Sequence, residues 1–155
     1  MVQGGRGMKI AEIHYKGKND WTESTESYIL FDNGEKLSSV HEDDCCEQVF
    51  ADFKNMQVMG EREKNYVNAN ELDFFENVLD SVVPIEGLGF YLVTKQGICI
   101  LVSCYNVQNG YYSDNLELEY MGKFRDISSC VPDCEEYWEE AREKNAEKLK
   151  ELKVN

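Results

Sequence analysis

Leu37 to Phe50 reads LSSVHEDDCCEQVF, and within it one histidine, four carboxylates and two adjacent cysteines occupy His41 to Glu47. Three chemistries fit that grouping. A zinc site needs four N or S ligands, which His41, Cys45 and Cys46 together with the Cys130-x3-Cys134 pair would supply. Against it, adjacent cysteines seldom chelate one tetrahedral ion together, and no C-x2-C knuckle occurs in the chain. A reactive thiol would gain from a helix N-terminus and from His41 as base, but Glu42, Asp43, Asp44 and Glu47 crowd the same turn and disfavour a thiolate. The third reading is structural. Asp44 at N-cap and Glu47 at N3 form a capping-box pattern, and Cys45, Cys46, Val49, Phe50, Phe53 and Met56 recur at helical spacing, which predicts a helix from Asp44 to Met56.

A second unusual stretch is Asn109-Gly110-Tyr111-Tyr112-Ser113. As structure it is a tight turn whose tyrosines fold back on a sheet. As function, Tyr111 and Tyr112 offer stacking and hydrogen bonding to a planar ligand or a peptide, with Asn109 and Ser113 beside them. The chain carries no P-loop, G-x-G-x-x-G, H-E-x-x-H or G-x-S-x-G pattern. Cys99 and Cys104 sit inside an apolar run and read as small core hydrophobes.

These residues need elements to hold them. KIAEIHY, from Lys9, reads as a strand that includes His14. SYILFDNGEKLSSVH places Asn33-Gly34 between two β-rich runs, the pair preferred in type I′ hairpins. A two-residue turn there pairs Phe31 with Lys36 and Leu30 with Leu37, setting Tyr28, Leu30, Leu37, Ser39 and His41 on one face. Gly60 to Asn70 is polar and unpatterned, a loop. Leu72 to Ile85 fits either helix or strand. GFYLVTKQGICILVSCYN is a second hairpin turning at Lys95-Gln96-Gly97, its second strand apolar on both faces, and LELEY alternates as a further strand. From Cys134 to Val154 a charged run carries a narrow stripe of Trp138, Ala141, Leu149 and Leu152, a solvated helix with Glu140 and Lys144 at i, i+4. The expected whole is an α+β domain: an antiparallel sheet of five or six strands, the Asp44 to Met56 helix packed on one face, and the last helix appended. Residues 1–7 read as a glycine-rich leader, 8–125 as one domain and 126–155 as a helical extension.

Thirty acidic against 16 basic residues give a net charge of −14, which repels nucleic-acid backbones and favours a protein partner with a basic surface, unless the acidity serves solubility alone. No apolar run spans a bilayer and the N-terminal residues lack the apolar segment of a signal peptide, so the expectation is a cytoplasmic protein, without membrane partner, whose six cysteines are free thiols or ligands.

FDNGEKLSSVHEDDCCE followed by FYLVTKQGICILVSCYNVQNGYYSDNLEL resembles an uncharacterised domain family of bacteria and their phages, with shared H-x-x-D-C-C-E and F-Y-x-x-T-x-x-G…N-G-Y-Y-S stretches. The resemblance runs from Met8 to Tyr120. It falls on His41, Asp44, Cys45, Cys46 and Glu47, and on Phe90, Tyr91, Thr94, Gly97, Asn109, Gly110, Tyr111, Tyr112 and Ser113. It implies a phage or mobile-element setting and an antiparallel sheet with a helix, and it assigns no reaction. The leading functional expectation is a small acidic, non-enzymatic binding protein without cofactor that occupies a basic site on a host protein. The alternatives are a ligand binder or enzyme joining His41, Cys45 and Cys46 to Tyr111 and Tyr112, and a small zinc-binding domain.

Overall fold

The computed structural model describes residues 7–16, 26–41, 48–59, 72–108, 110 and 114–154. Among them nine strands form two antiparallel sheets, and one α-helix closes the chain, an α+β fold. Sheet one has the order β1 (Ile10–Lys16), β2 (Glu26–Phe31), β3 (Lys36–Val40), β8 (Glu117–Tyr120), β9 (Lys123–Asp126). Sheet two has the order β4 (Gln48–Val58), β7 (Cys99–Val107), β6 (Gly89–Val93), β5 (Val82–Ile85), and α1 is Trp138–Val154. Alternate residues of both sheets meet in one core. Ile29, Phe31, Leu37, Leu118 and Tyr120 face Val49, Ala51, Phe53, Phe90, Val102 and Cys104 across it.

The first hairpin forms where expected, with a different turn and register. Three residues, Asp32, Asn33 and Gly34, make the loop: the Gly34 amide donates to the Phe31 carbonyl at 2.9 Å and the Phe31 amide to the Glu35 carbonyl at 2.8 Å. Only Gly34 takes positive φ, at 88°, whereas type I′ requires it at both central positions. The Asn33 side chain accepts the Glu35 amide at 2.9 Å, an Asx turn that does the work of a second left-handed residue. Asp32 is tied to β1 through its amide to the Lys9 carbonyl and its Oδ1 from the Lys9 amide. The register therefore pairs Leu30 with Lys36 and Ile29 with Leu37. That one-residue shift sends Ile29, Phe31 and Leu37 into the core, and turns Tyr28 outward to stack on His14 at 4.6 Å.

The larger correction concerns the predicted helix. From Gln48 onward the segment is strand β4, paired with β7 from Gln48↔Val107 to Val58↔Ile100, so the helix expected to run on to Met56 and its stripe over Val49 to Met56 are overturned, while the expected Asp44 cap lies outside the described residues. Residues 42–47 lie outside the described residues. The register of β4 slips between Asp52 and Gln57. Asp52 holds that bulge: its Oδ1 accepts the Lys54 and Asn55 amides at 3.0 and 3.3 Å, and its Oδ2 accepts the Asn55 side-chain amide at 2.9 Å. Phe53 and Met56, on either side of the bulge start, thus both reach the core at a spacing of three.

Leu72 to Ile85 resolves piecewise. Phe74 bridges to Met8, a 3-10 turn runs Val78–Ser81, and β5 carries Pro84 at the edge of sheet two, where a missing N–H costs no ladder bond. The second hairpin matches its expectation, with Val93 opposite Cys99. Strand β7 is apolar on both faces because sheet one covers one and α1 lies along the other. Gly89 is required by close approach, since a Cβ there would lie 2.0 Å from the Val102 carbonyl oxygen. Ile127, Cys130 and Val131, beyond β9, belong to the same core. No described helix is long and apolar enough to cross a membrane.

Candidate functional site

Of the residues singled out by sequence, His41 is described, and Asp44, Cys45, Cys46, Glu47, Asn109, Tyr111, Tyr112 and Ser113 lie outside the described residues. The residues that flank the two motifs do meet. The Nδ1 position of His41 lies 2.5 Å from the Asn115 carbonyl, with Val40 opposite Glu117 in the ladder behind it. At the other sheet, Gln48 pairs with Val107. Both motifs are therefore anchored at one end of the molecule, each between the end of a strand in one sheet and the start of a strand in the other.

The approach to α1 joins the same end. Val107 bridges to Glu135, the Gln108 amide donates to the Glu135 carbonyl, and the Glu135 amide donates to the Asn106 carbonyl. A Cβ on Gly110 would lie 3.8 Å from Cys134 Sγ. Asp133, Glu136, Glu139, Glu140 and Glu143 are exposed here and Glu135 half so. Lys144 pairs with Glu135 at 2.7 Å rather than with Glu140, and that partner holds the Glu135 carboxyl below its ordinary range while raising the lysine. The Glu140 carboxyl is raised, by desolvation first, then by its hydrogen bond with Glu135 and the charges of Glu135, Glu136 and Glu143.

The cysteines divide. Cys130 is buried near Cys104, and burial raises both thiols, with the charges of Cys130 and Asp52 further opposing ionisation at Cys104. Cys134 is exposed four residues on. The pair therefore faces two environments, and among the described residues no three His, Cys, Asp or Glu side chains gather as metal ligands.

Sequence reasoning missed a cleft of about 520 Å³ between α1 and the outer face of sheet two. Asp52, Ser103 and Tyr105 line its sheet side, Tyr15 and Lys54 one flank, and Trp138, Arg142 and Asn145 its helix side. Trp138 stacks on Phe50 at 5.7 Å and meets Tyr105 at 4.9 Å. Asn145, almost fully buried, donates to the Cys104 carbonyl at 2.8 Å. Burial, then the Asp52 charge, raises both phenols, Tyr105 to about 12, with Arg142 acting against the rise. A signal existed: Arg142 and Asn145 follow Trp138 at i+4 and i+7, which puts polar groups beside the predicted inward stripe.

Compared with known proteins, residues 6–118 match the family model described as Domain of unknown function (DUF7448). The match spans more than two thirds of the 155 residues, includes both motif stretches, and places the chain in that family. No curated protein and no solved structure gave a match.

Proposed function

We propose that this DUF7448 member is a non-enzymatic binding protein of phage or mobile-element type, acting in the cytoplasm on a protein partner with a basic surface. It engages that partner through the acidic end from which α1 starts, and one action open to it is to occupy a basic groove of a host protein. The observation that carries this reading is the crowding of carboxylates from Asp133 to Glu143 where Glu135 bridges to Val107, the strand end that pairs with Gln48 beside the two motif stretches. Helix capping does not account for it. The dipole of α1 favours Glu139 and Glu140 in its first turn, but not Asp133, Glu136 and Glu143, whose mutual repulsion is a cost to the fold. A partner's lysines and arginines would relieve that cost on binding and speed encounter.

The test is affinity capture from a host extract, followed by association kinetics of the captured protein with the wild type and with Asp133→Lys/Glu136→Lys/Glu143→Lys, three exposed positions outside the first turn of α1. The expected result is an association rate that falls as salt rises above ~0.15 M, where exposed charges beyond about 8 Å are screened, and that falls again in the triple variant with an unchanged melting temperature. A rate indifferent both to salt and to the triple substitution would show that the acidity serves solubility. Binding of naked DNA or RNA by the acidic end would overturn the charge argument itself.

A further inference from the structure

The cleft under α1 differs in character from the rest of the surface. The molecule carries −14, yet Lys54 and Arg142 flank this concavity and Asp52 is its one carboxylate among the described lining residues. Asp52 is 3% exposed, and its oxygens are already engaged by three donors of the β4 bulge. The two cations are differently placed. Both are exposed, and among the described residues neither enters an ion pair; Lys54 Nζ rests 5.5 Å from the centre of the Tyr15 ring. Three aromatic side chains, Tyr15, Tyr105 and Trp138, line the same cleft, each half-buried, and Arg142 is close enough to Tyr15 for its charge to act on that phenol as well.

We propose that this cleft binds a small planar anion of the mononucleotide class, its ring against the Tyr15, Tyr105 and Trp138 side chains and its phosphate held by Arg142 and Lys54. Aromatic faces accept any base by stacking, and a guanidinium meets a phosphate with paired N–H donors while an ammonium adds a point charge. The volume, about 520 Å³, falls within the range of small-molecule sites of roughly 300 to 1,000 Å³. A polar group is available to the ring edge, because Ser103 lines the same space. The helix side is fixed rather than adaptable: Trp138 is stacked on Phe50, and Asn145 is bonded to the β7 backbone one turn from Arg142. A nucleic-acid strand is excluded from the same site by the net charge, since each further phosphate meets the acidic surface. This inference is independent of the acidic-end reading, which it neither needs nor supports.

Equilibrium dialysis of the full chain with adenosine 5′-monophosphate and uridine 5′-monophosphate is the test, with adenosine and inorganic phosphate as comparison probes. Saturable binding of at least one nucleotide is expected, with adenosine and phosphate each weaker by about tenfold or more, the loss of one anchoring group. Arg142→Gln and Lys54→Gln, both at exposed positions and so expected to melt like the wild type, should each weaken the nucleotide by about tenfold. Absence of saturable binding by either nucleotide overturns the proposal. So does binding that survives both substitutions unchanged, or adenosine binding as tightly as its monophosphate.

Discussion

At Tyr105 one phenol reports the electrostatics of the whole cleft. Burial and the Asp52 carboxylate raise it from about 10 to about 12, against the opposing influence of Arg142 and the Asn145 hydrogen bond. The folded state therefore favours the neutral phenol. Between those two pH values the native chain binds more protons at Tyr105 than the unfolded chain does, so stability falls as pH rises. The contribution is fully present below pH 10 and is lost progressively toward pH 12, a loss that approaches about 2 to 3 kcal/mol. Tyr105→Phe removes this titration and should flatten the alkaline arm of the denaturation midpoint against pH. Parallel wild-type and variant curves above pH 10 would show that burial and the Asp52 charge do not raise the Tyr105 phenol as described. Asp52 illustrates what sequence hid at this scale: its three hydrogen bonds come from residues two and three places on, a local pattern invisible until the bulge is seen.

Elements were legible where turn chemistry is specific and unclear where burial is two-sided. The two hairpins and the closing helix follow from Asn-Gly, Lys-Gln-Gly and a charged amphipathic run, and all three are present. Strand β4 was read as a helix for two physical reasons. Its first half is buried on both faces, with Val49, Ala51 and Phe53 in the core and Phe50 against Trp138, so no alternation shows. Its bulge then brings Met56 in three residues after Phe53, which imitates a helical repeat. The first hairpin's register was missed because an Asx turn replaced one left-handed residue. Of the candidate site, the juxtaposition of motif anchors was not legible, since nothing local tells that β3 pairs with β8 and β4 with β7. Two glycines separate loop from ladder. Gly34→Ala places a methyl in open space at φ 88° and should cost ~1 kcal/mol of backbone strain. Gly89→Ala drives its Cβ to 2.0 Å from the Val102 carbonyl oxygen, in the backbone of central strand β7, and should cost ~3 kcal/mol or more. At roughly 2 to 4 °C per kcal/mol for a chain of this size, thermal melting separates them. Equal midpoints for the two variants would mean that β6 and β7 approach less closely than described.

At the scale of the molecule the family match and the core end at different places. The match stops at residue 118, whereas Tyr120, Ile127, Cys130 and Val131 are buried in the shared core, and Arg125 reaches across to the Leu79 and Val82 carbonyls at 2.8 and 2.9 Å. Strand β9 also covers the free edge of β8. A chain ending at Leu118 loses all of these together. Each large apolar side chain withdrawn from burial removes about 1.5 to 3 kcal/mol, and a domain's net stability is about 5 to 15 kcal/mol, so that chain should show no cooperative melting. A chain ending at Asp133 keeps both sheets and the whole β8–β9 side of the core, and loses α1. It uncovers Phe50 and Tyr105 from Trp138 and removes the Asn145 bond to the Cys104 carbonyl, the Lys148 bond to the Gly87 carbonyl and the two backbone bonds that Glu135 makes with Asn106 and Gln108. Two such contacts and four hydrogen bonds, three of them involving a partly exposed residue, lie within the stability range, so the shorter fold should persist with a sharp transition at lower temperature. Calorimetry of the two truncations beside the full chain decides between one core that extends past the matched region and a matched region that folds alone. A cooperative transition in the chain ending at Leu118 would establish the second, and would reduce β9, Cys130 and α1 to an appendage.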